Sequence, residues 1–99
     1  MPRYKVMVDD NFHYQDPGER REHGTFASLE EAIAACRAIV DRSLSEGYRA
    51  GISAKALYEG YVSFGDDPFI VVVGGTDTNA NFSAWRYAKE RCAVLCAGR

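Results

Sequence analysis

Asp66-Asp67-Pro68-Phe69-Ile70-Val71-Val72-Val73-Gly74-Gly75 decides how this chain is read. The Asp-Asp-Pro tripeptide breaks the chain, because proline fixes φ and pushes the residue before it out of the helical region. Phe69 to Val73 is apolar at every position, as in a covered or central strand. The glycine pair then ends it. A strand of this kind needs partners and a cover from elsewhere in the sequence.

The partners lie near the start. Tyr4, Val6 and Val8 alternate with Arg3, Lys5 and Met7, which is a strand pattern. Asp16-Pro17-Gly18 is a turn signal, with proline presetting φ and glycine accepting φ > 0. A second strand, Glu22 to Ala27, is expected to return from it. A tight turn at Pro17-Gly18 would set Val8 opposite Ala27 and Asp9 opposite Phe26. Phe26 would then face away from Val6 and Val8. A bulge, expected at Asp9-Asp10, or a wider irregular loop would return it to the core.

The cover is helical. Ser28-Leu29-Glu30-Glu31 has capping-box spacing. Leu29, Ile33, Cys36, Val40 and Leu44 continue as an apolar stripe, with Ala32 and Ile39 beside it, and Gly47 is the terminator. Glu30 and Glu31 at the start and Arg42 near the end suit the macrodipole. Ser53 caps a second helix with Ala54, Leu57, Tyr58, Tyr61 and Phe64 at helical spacing, ended by Gly65. After the polar linker Thr76 to Asn81, Ser83 caps a third, with Phe82 positioned to staple Tyr87 and a stripe of Trp85, Ala88, Cys92 and Leu95. The order is β-β-α-α-β-α. It predicts a single α+β domain over 1–99: a three-stranded antiparallel sheet in the order 2-1-3, helices packed on one face.

Composition narrows the function. With 46% hydrophobic and 26% charged residues, the chain has the make-up of a folded domain rather than a disordered one. Its 12 basic and 14 acidic residues give a net charge of −2, without the basic excess of a nucleic-acid binder. No apolar run reaches the length of a membrane span, and because Met1 to Lys5 leads into no apolar h-region, a secretory leader is not expected. The three cysteines, an odd number, fit a reducing compartment, so a cytoplasmic location is expected.

The candidate binding residues are Asp9, Asp10, Phe12, His13 and Tyr14, with Asp66 and Asp67 arriving from the other Asp-Asp segment. Carboxylates with one histidine would suit Mg²⁺, Mn²⁺ or Fe²⁺. A polar hairpin end explains the same residues without a ligand, and the spacing matches no established metal motif, so no metal or cofactor is assigned. His23, flanked by Arg20, Arg21 and Glu22, has the chemistry of a base but the position of a sheet-edge residue. Across the hairpin, Tyr14 would meet Arg21 and His13 would meet Glu22. Gly74-Gly75-Thr76 lacks both established phosphate-loop spacings. Asp77 to Asn81 opens like an EF-hand loop, but Phe82 and Ala88 stand where glycine and glutamate belong. Cys36, Cys92 and Cys96 fall on apolar helix stripes, and no C-x-x-C is present. Phe12, Tyr14, Tyr48 and Tyr87 are aromatics in excess of what the strands can bury.

Four runs carry a resemblance: Val8-Asp9-Asp10-Asn11-Phe12-His13-Tyr14, Ser28-Leu29-Glu30-Glu31-Ala32, Phe64-Gly65-Asp66-Asp67-Pro68-Phe69 and Phe82-Ser83-Ala84-Trp85. In these the chain resembles a family of small uncharacterised bacterial proteins. The resemblance implies a bacterial, cytoplasmic origin and carries no activity. Three function classes follow. The leading one is a non-catalytic interaction module, homodimeric or bound to a protein partner, because the third strand needs a cover. The alternative is a small metal-dependent or acid–base enzyme at Asp9, Asp10, His13, Asp66 and Asp67. The third is a phosphate binder at Gly74-Gly75-Thr76.

Overall fold

The computed structural model describes residues 3–10, 21–74 and 82–97. Six elements follow one another: β1 (Arg3–Asp10), β2 (Arg21–Phe26), α1 (Leu29–Gly47), α2 (Ala54–Phe64), β3 (Asp66–Val73) and α3 (Ala84–Leu95). The strands form one antiparallel sheet in the order β2-β1-β3. The α+β class, the element order and the strand order are those the sequence predicts.

β1 is central, and its pairing with β3 runs without a break from Arg3 opposite Val73 to Asp10 opposite Asp66. Side chains alternate along a strand. Tyr4, Val6, Val8 and Asp10 therefore share one face with Asp66, Pro68, Ile70 and Val72. Val6 and Val8 on that face are 0% and 1% exposed. Burying one such valine is worth about 1.5–3 kcal/mol.

The hairpin register differs from the expected one. Tyr4, not Asp9, lies opposite Phe26, and Val8 lies opposite Arg21. The register shifts between Val6, opposite Gly24, and Met7, opposite Glu22. His23 is thus the extra residue, and the bulge sits on β2 rather than at Asp9-Asp10. Those two aspartates are regular strand against β3. Phe26 still reaches the helix-covered face, where it packs with Val6, Ala32 and Cys36. The Asp16-Pro17-Gly18 turn lies outside the described residues.

Helix α1 starts as its sequence dictates. Ser28 Oγ accepts the Glu31 N–H at 3.1 Å and donates to Glu31 Oε1 at 3.0 Å. Ala32, Cys36, Val40 and Leu44 are buried one turn apart. Gly47 is the last helical residue, and the final turn holds no basic residue, so Arg42 lies too early to meet the dipole. α1 packs on all three strands, while α2 and α3 pack on α1 and on each other. Two clusters result. Ala32 and Cys36 of α1 meet Val6 of the sheet; Val40 and Leu44 of α1 meet Leu57, Tyr61, Ala84, Ala88 and Cys92 of the other helices. Phe82 touches both.

Ser53 caps α2 through the Ala56 N–H at 3.1 Å. Leu57 and Tyr61 are buried, whereas Phe64 is 70% exposed and leaves the predicted stripe. Gly65 follows because nothing larger fits: a Cβ there would stand 2.5 Å from the Tyr61 ring. Ser83 caps α3, and Phe82 staples Tyr87 with ring centroids 5.8 Å apart. The buried stripe of α3 is Ala84, Ala88 and Cys92. Trp85, expected on it, is 38% exposed.

Candidate functional site

Asp66 and Asp67 were expected to break the chain before the third strand. They are instead its first two residues, and this places them. Asp9 stands directly opposite Asp67, and Asp10 opposite Asp66. The two Asp-Asp segments meet at one end of the β1–β3 ladder.

The pleat then divides them. Asp10 and Asp66 project to the helix-covered face, Asp9 and Asp67 to the other. Adjacent residues of a strand cannot both chelate one ion. Among the described residues, no group of three or more histidine, cysteine, aspartate or glutamate side chains is placed to hold a metal. Phe12, His13 and Tyr14 lie outside the described residues, as do Gly75, Thr76 and the stretch Asp77 to Asn81.

Asp66 is held structurally. Its carboxylate accepts from Arg21 Nη2 at 2.9 Å, across the intervening strand β1. Its N–H donates to Ser43 Oγ of α1 at 3.2 Å, and its carbonyl accepts from the Tyr61 hydroxyl of α2 at 2.7 Å. All three elements are thereby tied to the start of β3. No local pattern marks Arg21, Ser43 or Tyr61 for this task, because the partners are distant in sequence.

Asp67 is the chemically distinctive residue. Burial, with the Asp9 charge second, pushes its carboxyl up to about 6. A like charge directly opposite on the neighbouring strand adds to the burial in disfavouring the charged form of Asp67. Asp67, Pro68 and Phe69 line an open cleft of about 400 Å³ with Phe82, Ser83 and Trp85 at the start of α3. A larger hollow of about 610 Å³ lies between the end of α1 and α2 and takes in Asp66 but neither Asp9 nor Asp67.

Cys36, Cys92 and Tyr87 are accounted for by packing, while His23 stays exposed at the bulge of β2. Burial, with Asp67 second, pushes the Cys36 thiol up to about 12, and burial likewise raises Cys92. Thiols held protonated are poor nucleophiles. Glu22 pairs with Lys5 at 3.4 Å. The residues expected opposite Arg21 and Glu22, Tyr14 and His13, lie outside the described residues. Tyr87 donates to Asp41 at 3.0 Å, Arg91 reaches the same carboxylate at 3.2 Å, and Arg37 lies over the Tyr87 ring. This joins α1 to α3 and explains why Tyr87, an aromatic in excess of the strands' needs, stays half-buried.

The other face of β3 carries Asp67, Phe69, Val71 and Val73. Val71 and Val73 are 40% and 43% exposed. The apolar run thus lies at the sheet edge, covered by helices on one face. Among the described residues, no helix is long and apolar enough to cross a membrane. Comparison with known proteins returns no matching family model, no matching curated protein and no matching solved structure.

Proposed function

We propose that this chain is a non-catalytic interaction module that works as a homodimer in the bacterial cytoplasm. The observation that carries the reading is the exposure of Val71 and Val73 on an edge strand, on the face opposite α1. Exposed apolar side chains on an open strand mark association surfaces. The bacterial and cytoplasmic parts rest on the resemblance and on cysteine usage. Light scattering across a concentration series tests self-association. A dimer is expected at micromolar concentration; a monomer at high micromolar concentration overturns the reading.

A second reading is acid–base chemistry at Asp67, with Asp9 beside it. It is favoured by the elevated Asp67 carboxyl at the mouth of a cleft. General acids and bases work best with such values near the ambient pH. A carboxyl-carbon NMR titration with and without Mg²⁺ or Mn²⁺ tests it. Ordinary titration of Asp67, unmoved by either ion, removes it.

A further inference from the structure

We propose that two copies of this chain join through their β3 edges, continuing the sheet across a twofold axis opposite Val71. The inference rests on the self-association reading and supplies its contact.

The direction of the backbone groups of β3 follows from three observations. The Asp66 N–H goes to Ser43 and its carbonyl to Tyr61, so both point away from β1. Successive residues of an antiparallel pair alternate between facing the partner and facing away. Pro68, Ile70 and Val72 therefore also turn their backbone groups outward. Pro68 fits, because it has no N–H to offer β1, and proline is found in edge strands with that side outward. The outward donors and acceptors of Ile70 and Val72 meet no described residue.

A second copy of the same strand answers those groups. With the axis opposite Val71, Ile70 pairs with Val72 of the second copy, and Val72 with its Ile70. Each pair exchanges two N–H···O=C bonds. An axis opposite Ile70 would instead set Pro68 against Val72 and leave the Val72 carbonyl without a donor. On the open face, Val71 would lie against Val71 of the second copy and Phe69 against its Val73, a continuous apolar row. The antiparallel arrangement sends Asp66 and Asp67 of the two copies to opposite ends of the contact. A parallel one would stack them. The contact is isologous and closes at two copies.

Edge strands that avoid pairing carry charges, bulges or cover. From Phe69 to Val73, β3 has no charged residue and an unbroken register with β1. Among the described residues, hydrogen bonds to its outward backbone groups are found at the Asp66 end, from Tyr61 and to Ser43.

The test is amide hydrogen exchange on the full chain, followed by NMR at dilute and concentrated conditions alongside light scattering. The expected result is a dimer in which the Ile70 and Val72 amides exchange at least about tenfold more slowly than in the dilute protein. A dimer with both amides exchanging fast overturns edge pairing and leaves self-association standing. A monomer throughout overturns both. Val71→Cys gives a second measure. Directly opposed residues of a non-hydrogen-bonded pair lie at Cα distances of about 4.5 Å, within disulfide reach. Mild oxidation is expected to link Val71→Cys into a covalent dimer faster than Val73→Cys or the parent chain. Equal rates overturn the proposed axis.

Discussion

The sheet has two edges, built in opposite ways. β2 carries Arg21, Glu22, His23 and Thr25, all exposed, and it is kinked by an extra residue at His23. β3 runs straight from Asp66 to Val73 with five uncharged apolar residues at its end. Charge and bulging are the means by which natural sheets keep an edge from pairing with another chain. One edge of this protein uses both. The other confines its charges to Asp66 and Asp67, where α1 and α2 already take up the first residue's backbone groups. The contrast teaches that, among the described residues, charge and bulging guard the β2 edge and not the apolar half of β3.

The largest expected effect breaks the closed end of β3. Gly65→Ala puts a Cβ 2.8 Å from the Tyr61 carbonyl and closer still to its ring. Tyr61 must then move, and its bond to Asp66 goes with it. A loss of about 2–3 kcal/mol is expected in urea unfolding. Unchanged stability would mean that Tyr61 does not hold this end.

Making the open edge resemble the guarded one comes next. Val71→Lys sets a charge at the centre of the exposed row. Self-association is expected to weaken at least about tenfold, or about 1.4 kcal/mol. The monomer should keep its stability within about 0.5 kcal/mol, since the site is a surface position. Analytical ultracentrifugation with parallel denaturation separates the two effects.

Asp67 supplies a smaller effect, with a sign that runs against habit. Its carboxyl is raised in the folded state, so the folded protein holds more protons than the unfolded chain between about pH 4 and about 6. Stability from this group is present at low pH and falls as pH rises through that window. Asp67→Asn should flatten that slope and stabilise the protein at pH 7 by about 1 kcal/mol, allowing for partial exposure. Thermal unfolding at a series of pH values reads it. The smallest effect is at the guarded edge: Arg21→Ala removes a half-exposed ion pair with Asp66 and should cost about 0.5 kcal/mol or less.

What the sequence makes legible follows from how far each signal acts. Caps at Ser28, Ser53 and Ser83 are local hydrogen bonds, and all three helices start where those residues place them. Strand order follows from connection rules. The hairpin register was not legible: Val8 lies opposite Arg21 rather than Ala27, a difference of six residues of which the bulge at His23 supplies one, and neither carries a local mark. Trp85 misleads in a related way. Its size suits a core, but the neighbouring alanines let α3 lie close to α1 and leave the ring outside. For the candidate site, the meeting of the two Asp-Asp segments depends on Asp66-Asp67-Pro68 being strand. Proline argues against strand in a sheet interior and permits it at an edge. The order 2-1-3 sets β3 at an edge, so proline is compatible with strand there, and reading Asp-Asp-Pro as a breaker hides the meeting.

Helix α1 has a consequence for how the molecule comes apart. Its first turns belong to the sheet cluster and its later turns to the helical cluster, along a single row of buried residues. A continuous backbone ladder thus spans two packing units that share few side chains. Loosening of one unit need not melt the other, yet it must fray α1 from the corresponding end. Protection factors along α1 should therefore form a gradient whose direction reports which unit opens first.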